Sequence, residues 1–435
     1  MSNDEHVQGS TQGGRDPADL PGEHARRDPS ADRQSADLHN QPNLEPGGPR
    51  SSVVLSGMKH ADSHSSGLIK GNSLKGRLDG VSRLGPVRRV LFLGKSMSRT
   101  RCTGALVDSL RRHGVEVRWR NRVKWRRWFG TQIANKLLAA DFRSYKPDTI
   151  FVFFRDLPQV LASEFRHDAR IVVWCEEALE QLDTSVIDYF RQADLVCMSN
   201  PARFPWLREH GLDNMAFLMS GFAPRYHRPM EPQKPLRDVA FIGGPGRRGQ
   251  RASFLAEIAR RFNTEVFGRH WDRWSAQHSH LRVNGPINNR SYAKVCATSR
   301  IVLGVNEINE DAYYCSNRTF LTMACGALHL THYVPQLENV FQNGRHLLWY
   351  HDEDEALAMI EEWLPKADER ARVAAGGHAE VMQHHQYYHR VSRILHWLEH
   401  GLPREDQELL PSQALSVSHE AAGNSVAGKS GPAAR

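Results

Sequence analysis

The sequence predicts an α/β protein built from two tandem Rossmann-like domains that face a central cleft, with tails at both ends. Three observations predict it. Short continuous apolar runs alternate with stretches of helical period through the middle of the chain. The alternation breaks once, at a Pro-rich charged segment, and then restarts. All of the 17 Phe, 10 Trp, 10 Tyr and 6 Cys residues fall between Pro86 and Leu402, within a chain of 435.

Residues 1–85 contain no Phe, Trp, Tyr or Cys and are rich in Ser, Gly, Pro, Asp and His. Such a segment cannot bury enough apolar surface to offset chain entropy, so it is expected to be disordered. Residues 403–435 have the same character and the same expectation.

The first domain is expected over 86–224. "VRRVLFLG" reads as a strand ending in a Gly turn, "TGALVDSLRRHG" as a helix stopped by Gly, and "VEVRW" as a short strand. A helix near 131–144 follows, then strands at 148–154 and 169–175, a helix near 180–192 and a strand at 194–199. A further helix and the short strand "MAFLM" close the set. Continuous apolar strands separated by helices imply a parallel sheet covered on both faces, wound by right-handed crossovers.

"RYHRPMEPQKPLR", residues 225–237, has three prolines and several charges and reads as a linker. The second domain, 238–402, repeats the pattern. It runs "DVAFIGG" strand, "RASFLAEIARRF" helix, "TEVFG" strand, "RSYAKVCATS" helix, "RIVLGVN" strand, "CSNRTFLTMACG" helix, "ALHLTHY" strand, "QLENVF" short helix and "HLLWY" strand. Helices at "EDEALAMIEEWL" and from Ala367 to His400 complete it. Open parallel sheets bind ligands at the carboxyl ends of their strands, so both domains aim loops into the cleft.

The N-terminus has no apolar core of a secretory signal, and runs such as "TIFVFF" and "RIVVWC" are far below the roughly 18 residues that span a bilayer. The six cysteines form no C-x-x-C pair and mostly sit in apolar stretches, as buried thiols do in a reducing compartment. A cytoplasmic location is expected. The formal net charge of +8 is concentrated between Pro86 and Thr131. Its densest part is "RWRNRVKWRRW", Arg118 to Trp128, where cations interleave with indoles. This suits an anionic surface, and lipid there would give a peripheral place at the inner face of the membrane. The alternative is a solvated helix or loop whose tryptophans pack inward. No nucleic-acid-binding signature accompanies it, so nucleic acid is not the expected partner.

In "FIGGPGRRGQR" a strand ends at Ile242 and a helix starts near Arg251. Gly243, Gly244, Gly246 and Gly249 permit the close backbone approach that an anion needs. The helix start offers unpaired N–H groups, and Arg247, Arg248 and Arg251 add charge. The loop is neither a Walker loop nor a G-x-G-x-x-G fingerprint. It is read as a phosphate loop, against the alternative of a tight solvated turn.

The segment from "RIVLGVNEINEDAYYCSNRTFLTMACGALHLTHY" to "EDEALAMIEEWL", with "VFGRHW" before it and "HHQYYHRVSRIL" after it, resembles the C-terminal domain of GT-B fold glycosyltransferases. The group it is most similar to is that of the spore-maturation protein CgeB. The resemblance implies transfer of a sugar from a nucleotide-diphosphate sugar to a glycan or other hydroxyl acceptor, with retention favoured and no obligatory cofactor or metal. It implies that Gly243 to Gly249, with Arg247 and Arg248, face the diphosphate. It further implies that Asn306, Gly268 of "VFGRHW", and Asn317, Arg318, Thr319 and Phe320 border the sugar-nucleotide pocket. Gly326 ends the helix that Asn317 opens, and the last helix is expected to cross back onto the first domain. Leu321 stands where related sequences commonly carry a glutamate for the nucleotide ribose; Glu307 and Glu310 are the nearest carboxylates in sequence.

Arg247, Arg248 and Arg318 are expected to stabilise the leaving diphosphate, with Arg251 beside them. Glu176 and Glu177, just past the strand "RIVVWC", are candidates to orient or deprotonate an acceptor; adjacent carboxylates near a helix start also serve as dipole partners. His385 and His389 have i, i+4 spacing, for which core packing or cleft lining is preferred over a metal site. Two other readings stay open: a GT-B-like binding protein without chemistry, and a module in which Arg118–Trp128 dominates.

Overall fold

The computed structural model describes residues 85–94, 102–177, 179, 184–231, 233–246 and 249–402. The two tails, and Arg247 and Arg248 of the glycine-rich loop, lie outside the described residues.

The first half contains β1 (Arg89–Leu93), α1 (Cys102–Arg112), β2 (Glu116–Arg120), α2 (Arg122–Tyr145), β3 (Thr149–Phe153) and α3 (Gln159–Phe165). It continues with β4 (Arg170–Cys175), α4 (Thr184–Phe190), β5 (Leu195–Met198), α5 (Phe204–Glu209) and β6 (Met215–Phe217). All six strands are parallel, in the order β2-β1-β3-β4-β5-β6. Every residue of β4 and β5 is buried, as strands covered on both faces must be. Register sets Phe92 between Trp119 and Phe151, with the two phenyl rings stacked at 5.2 Å.

The second half contains β7 (Arg237–Ile242), α6 (Gln250–Arg261), β8 (Thr264–Phe267), α7 (Asp272–Gln277), β9 (Arg282–Asn284), α8 (Asn289–Ala297) and β10 (Ser299–Gly304). It continues with α9 (Asn317–Ala324), β11 (His329–His332), β12 (Leu348–Tyr350), α10 (Glu353–Trp363), α11 (Ala367–His384) and α12 (Tyr387–His400). Its sheet is again parallel, in the order β12-β11-β10-β7-β8-β9. Several helices start on the side chains expected of caps. Asn288 accepts from Ser291 N, Ser316 from Arg318 N and Asp352 from Glu355 N.

Three elements depart from the sequence expectation by being present at all. α3 and α7 are only two turns long and lack side-chain caps, and β9 is a three-residue edge strand with no buried residue. Short elements that bury little leave little periodicity to read. α2 begins at Arg122 rather than near 131, because the basic stretch is itself helical up to a kink at Gly130 (φ 80°). "QLENVF" forms only a 3-10 turn at Leu337–Asn339.

The last helix crosses to the first half. Val391, Ile394, Trp397 and Leu398 are buried with Val90, Phe92, Leu106 and Leu110. Tyr387 N donates to Phe222 O at 3.1 Å, and buried Arg390 donates to the carbonyls of Met219 (2.8 Å) and Ser220 (3.1 Å). No helix among the described residues is long and apolar enough to cross a membrane.

Candidate functional site

β7 delivers the glycine-rich loop at its carboxyl end. A side chain at Gly268 would put its Cβ 2.0 Å from Gly243 O, so the β8 end can approach the loop this closely only as glycine. Trp271 Nε1 donates to the same carbonyl at 2.9 Å. Gly249 starts α6 with φ 75°, and the Trp274 ring lies 2.1 Å from where its Cβ would sit. The helix therefore begins tight against the loop and has no side-chain N-cap.

Arg251, in the first turn of α6, is buried. Its Nη1 lies 3.6 Å from Glu307 Oε1 and donates at 3.4 Å to Gly244 O, while its Nε has no hydrogen-bond partner among the described residues. Arg318, in the first turn of α9, approaches the same phenyl ring. Its guanidinium lies 5.0 Å from the Phe241 ring centroid, and that of Arg251 lies 5.8 Å from it. Arg318 Nη1 donates to Val305 O at 3.3 Å. Burial first, and then the Arg251 charge, push its pKa down to about 10. It still stays almost wholly charged at pH 7, about three pH units below. Two half- to fully buried cations thus share one nearby carboxylate, and the local field is positive.

The loop between β10 and α9 supplies the next wall. Buried Tyr313 holds it in a left-handed turn (φ 60°), with its amide donating to Pro335 O at 2.9 Å and its ring 5.5 Å from Phe217 of the first half. Asp311 of the same loop accepts from Asn200 (2.7 Å) and Arg203 (3.1 Å). These contacts set Tyr314, Cys315, Ser316, Asn317 and Arg318 along one cavity of about 300 Å³ with Arg251, Asn306 and Glu307. Asn306 Oδ1 is buried with no hydrogen-bond partner among the described residues. Burial raises the Cys315 thiol to about 12, so it is a neutral wall.

The first half closes the cavity with Glu176, Ser199 and Ser220, each just beyond the carboxyl end of β4, β5 or β6. Glu176 Oε1 accepts from Tyr387 OH at 3.0 Å and from Ser220 Oγ at 3.3 Å. Burial raises its pKa, and those hydrogen bonds hold it back.

Of the residues singled out in the sequence, the cavity brings together Glu176, Arg251, Asn306, Asn317 and Arg318. Gly243, Gly244, Gly246 and Gly249 shape the loop behind Arg251, and Gly268 sits behind Gly243. Thr319 turns inward to His329 (3.2 Å), and Phe320 lies in the core between Phe341 and His385. Gly326 stops α9 with φ 71° against Pro229, and Glu177 is exposed. These four do not line the cavity. Leu321 packs against the apolar clusters on both sides of α9, while Glu307 does line the cavity and Glu310 does not. His385 ends α11 and His389 lies in the first turn of α12, so their i, i+4 spacing spans a helix break. Ser199, Ser220, Tyr314, Cys315 and Ser316 were not singled out from the sequence. Only Ser316 carried a signal, as a capping serine before an apolar helix.

The family model described as "Glycosyl transferase-like" matches residues 247–396. No curated protein matched the chain by sequence. Solved structures with a similar fold include Anabaena HepE in complex with UDP and glucose, at TM-score 0.52 and 13% identity over 72% of this chain and 99% of that one. The sucrose-phosphate synthase of Thermosynechococcus elongatus gives 0.55 and 11%, over 72% and 98%. A glycosyltransferase from Rickettsia africae gives 0.54 and 10%, over 73% and 100%. With two parallel six-stranded sheets and a cavity between them, the chain has the GT-B fold, and its residues 247–396 match a glycosyl transferase-like domain.

Proposed function

We propose that this protein is a glycosyltransferase that moves a sugar from a nucleotide-diphosphate sugar to a hydroxyl of a glycan or surface polymer. The observation that carries the reading is the pair Arg251 and Arg318, two guanidinium groups set at helix starts near one phenyl ring and lining one cavity, with Glu307 3.6 Å from Arg251. Such a place stabilises a pyrophosphate. The likeness to HepE, whose structure holds UDP and glucose, favours a uridine donor. The finer kinship with the CgeB group rests on the order of motifs alone.

In the reaction the bond between the sugar's anomeric carbon and the β-phosphate oxygen breaks, and its electrons go to the phosphate. A bond then forms from the acceptor oxygen to that carbon, and the acceptor proton leaves to a base. Charge grows on the pyrophosphate while the sugar becomes oxocarbenium-like, so fixed cations help the transition state more than the bound donor. Arg251 and Arg318 supply that charge without a metal, together with Arg247 and Arg248. Asn306 and Asn317 hydrogen-bond the donor, and Glu307 takes the ribose contact that Leu321 cannot make. Glu176 orients the acceptor hydroxyl, and in a retaining course the departing phosphate accepts its proton.

A thermal-shift panel of uridine, guanosine and thymidine diphosphate sugars tests this. One donor should protect the unmodified protein and leave Arg318→Ala and Arg247→Ala unprotected. Absence of protection by every donor, with no donor hydrolysis, would refute the assignment.

A further inference from the structure

The basic stretch Arg118–Trp128 lies outside the cavity wall, and the structure divides it into two parts with different tasks. Arg118 and Arg120 both ion-pair with Asp141, at 2.8 and 2.7 Å. Arg122 is buried and donates twice to Asn135 Oδ1, at 3.0 and 2.8 Å. Trp119 is buried edge-on to Phe92, and Trp125 packs partly against the core. The Asp141 ion pairs fasten α2 to β2, and the Arg122–Asn135 bonds brace α2 across its Gly130 kink.

The remainder faces outward. Lys124, Arg126, Arg127 and Lys136 are exposed, and no Asp or Glu occurs from 117 to 140 to balance them. Among these cations stand four large apolar side chains in the open: Trp128 at 60% exposure, Phe129 at 50%, Ile133 at 52% and Leu137 at 40%. Those four make up more than half of the exposed large apolar side chains among the described residues. Lys124 Nζ sits 4.3 Å from the Trp128 ring, so charge and apolar surface are interleaved. Ile133 and Leu137 are one helical turn apart and share a face.

Scattered apolar residues on a surface mean little, but two exposed apolar pairs close in sequence on either side of the Gly130 kink, set among unbalanced cations, match the pattern of a helix that lies in a lipid interface. Charge complementarity selects an anionic partner. The aliphatic members select lipid, because Ile133 and Leu137 cannot stack on nucleobases as Trp128 and Phe129 could. We propose that the Lys124–Leu137 face of α2 docks on an anionic phospholipid surface. Its four cations meet the headgroups, and Trp128, Phe129, Ile133 and Leu137 enter the acyl boundary. This inference does not depend on the proposed glycosyl transfer.

The test is co-sedimentation of the full chain with vesicles of phosphatidylcholine alone or with 30% phosphatidylglycerol, at low and high salt. The unmodified protein should prefer the anionic vesicles by at least about tenfold. Arg126→Ala/Arg127→Ala should weaken binding about 25-fold, since each cation near such a surface contributes roughly fivefold. Trp128→Ala/Phe129→Ala should weaken it about tenfold at both salt concentrations, because apolar insertion is not screened. The substituted residues are exposed, so thermal midpoints should not move, and Arg372→Ala on α11 serves as the control. Equal binding to neutral vesicles, no binding at all, or no loss in the Trp128/Phe129 variant would overturn the proposal. So would tighter binding to a single-stranded oligonucleotide that tolerates Ile133→Ser/Leu137→Ser.

Discussion

Tyr387 donates its phenolic proton to Glu176 Oε1 at 3.0 Å, joining residues 211 positions apart. The bond matters because it links the last helix, which begins in the chain's second half, to the cavity wall of the first. Tyr387 also sits beside the strand-like contact of its own amide with Phe222 O. The carboxylate is therefore placed by the way the two halves are joined, not by β4 alone.

Burial raises the Glu176 pKa, and the Tyr387 hydrogen bond opposes that rise. Tyr387→Phe should let it climb further. A hydrogen bond to a charged group is worth ~1.5–3 kcal/mol, so the acid limb of the pH–rate profile should move to higher pH by about one unit or more. Protection by donor in thermal shift should persist, because the arginines are untouched. An unmoved profile would separate Glu176 from the acceptor step.

Arg251 and Arg318 both approach the Phe241 ring, and the Arg251 charge adds to burial in lowering the Arg318 pKa. Arg318→Ala should lower the transfer rate by about 10²-fold or more, by analogy with the loss of an oxyanion donor. The thermal midpoint of the free protein should stay level or rise, since one of two like buried charges is gone. Arg318→Lys should recover only part of the rate, because an ammonium cannot present the guanidinium's planar fork. A midpoint that collapses with the rate would make Arg318 a structural residue instead.

Much of this fold was legible because its strands are buried on both faces. "RIVVWC" and "DTIFVFF" announce themselves by composition, and both sheets follow from their alternation with helices. Arg318 was legible only through the resemblance carried by the order of motifs around "CSNRTFLTMACG". What the sequence could not show was direction. Thr319 and Phe320 follow Arg318 directly, yet the helix turns them into the core, where His329 and Phe341 receive them. Ser199 and Ser220 were invisible because nothing local marks a serine at a strand end as part of a shared wall. The basic stretch read as one unit, but Asp141, more than a dozen residues on, claims Arg118 and Arg120 and leaves the rest outside.

Gly268 is the tightest steric point behind the loop. An alanine there would place its Cβ 2.0 Å from the Gly243 carbonyl oxygen, which also holds Trp271. Backbone cannot yield as a flexible side chain does. Gly268→Ala should cost about 1–3 kcal/mol of stability, the range of overpacked interiors, and should displace Gly243 toward the cavity. Denaturant unfolding would show the first effect, and a loss of donor protection larger than the stability loss would show the second. Equal tolerance of alanine at Gly268 and at the open Gly285 would contradict this geometry.

Burial lowers the pKa of five histidines, His346 among them. It lowers His329 and His385 to about 3, and His227 and His389 to about 4. In each case the folded form binds a proton less readily than the unfolded chain, whose imidazoles titrate near 6.5. Their contribution to stability is therefore complete above pH 6.5 and is lost as pH falls toward 4. Each costs up to ~1.4 kcal/mol per pH unit across that window. Glu380, whose pKa is lowered by its hydrogen bond to His385, adds to the loss at the acid end. Glu176 and Glu353 work the other way, because their raised pKa values favour the folded form at low pH, but they are two groups against five. Thermal midpoints measured from pH 7.5 to pH 5 should fall steeply below 6.5. Replacing His385 by Gln should flatten the slope by about a fifth, since one of the five uptake sites is gone. A midpoint constant between pH 7.5 and 5 would mean that these imidazoles reach solvent and are not the neutral core groups described.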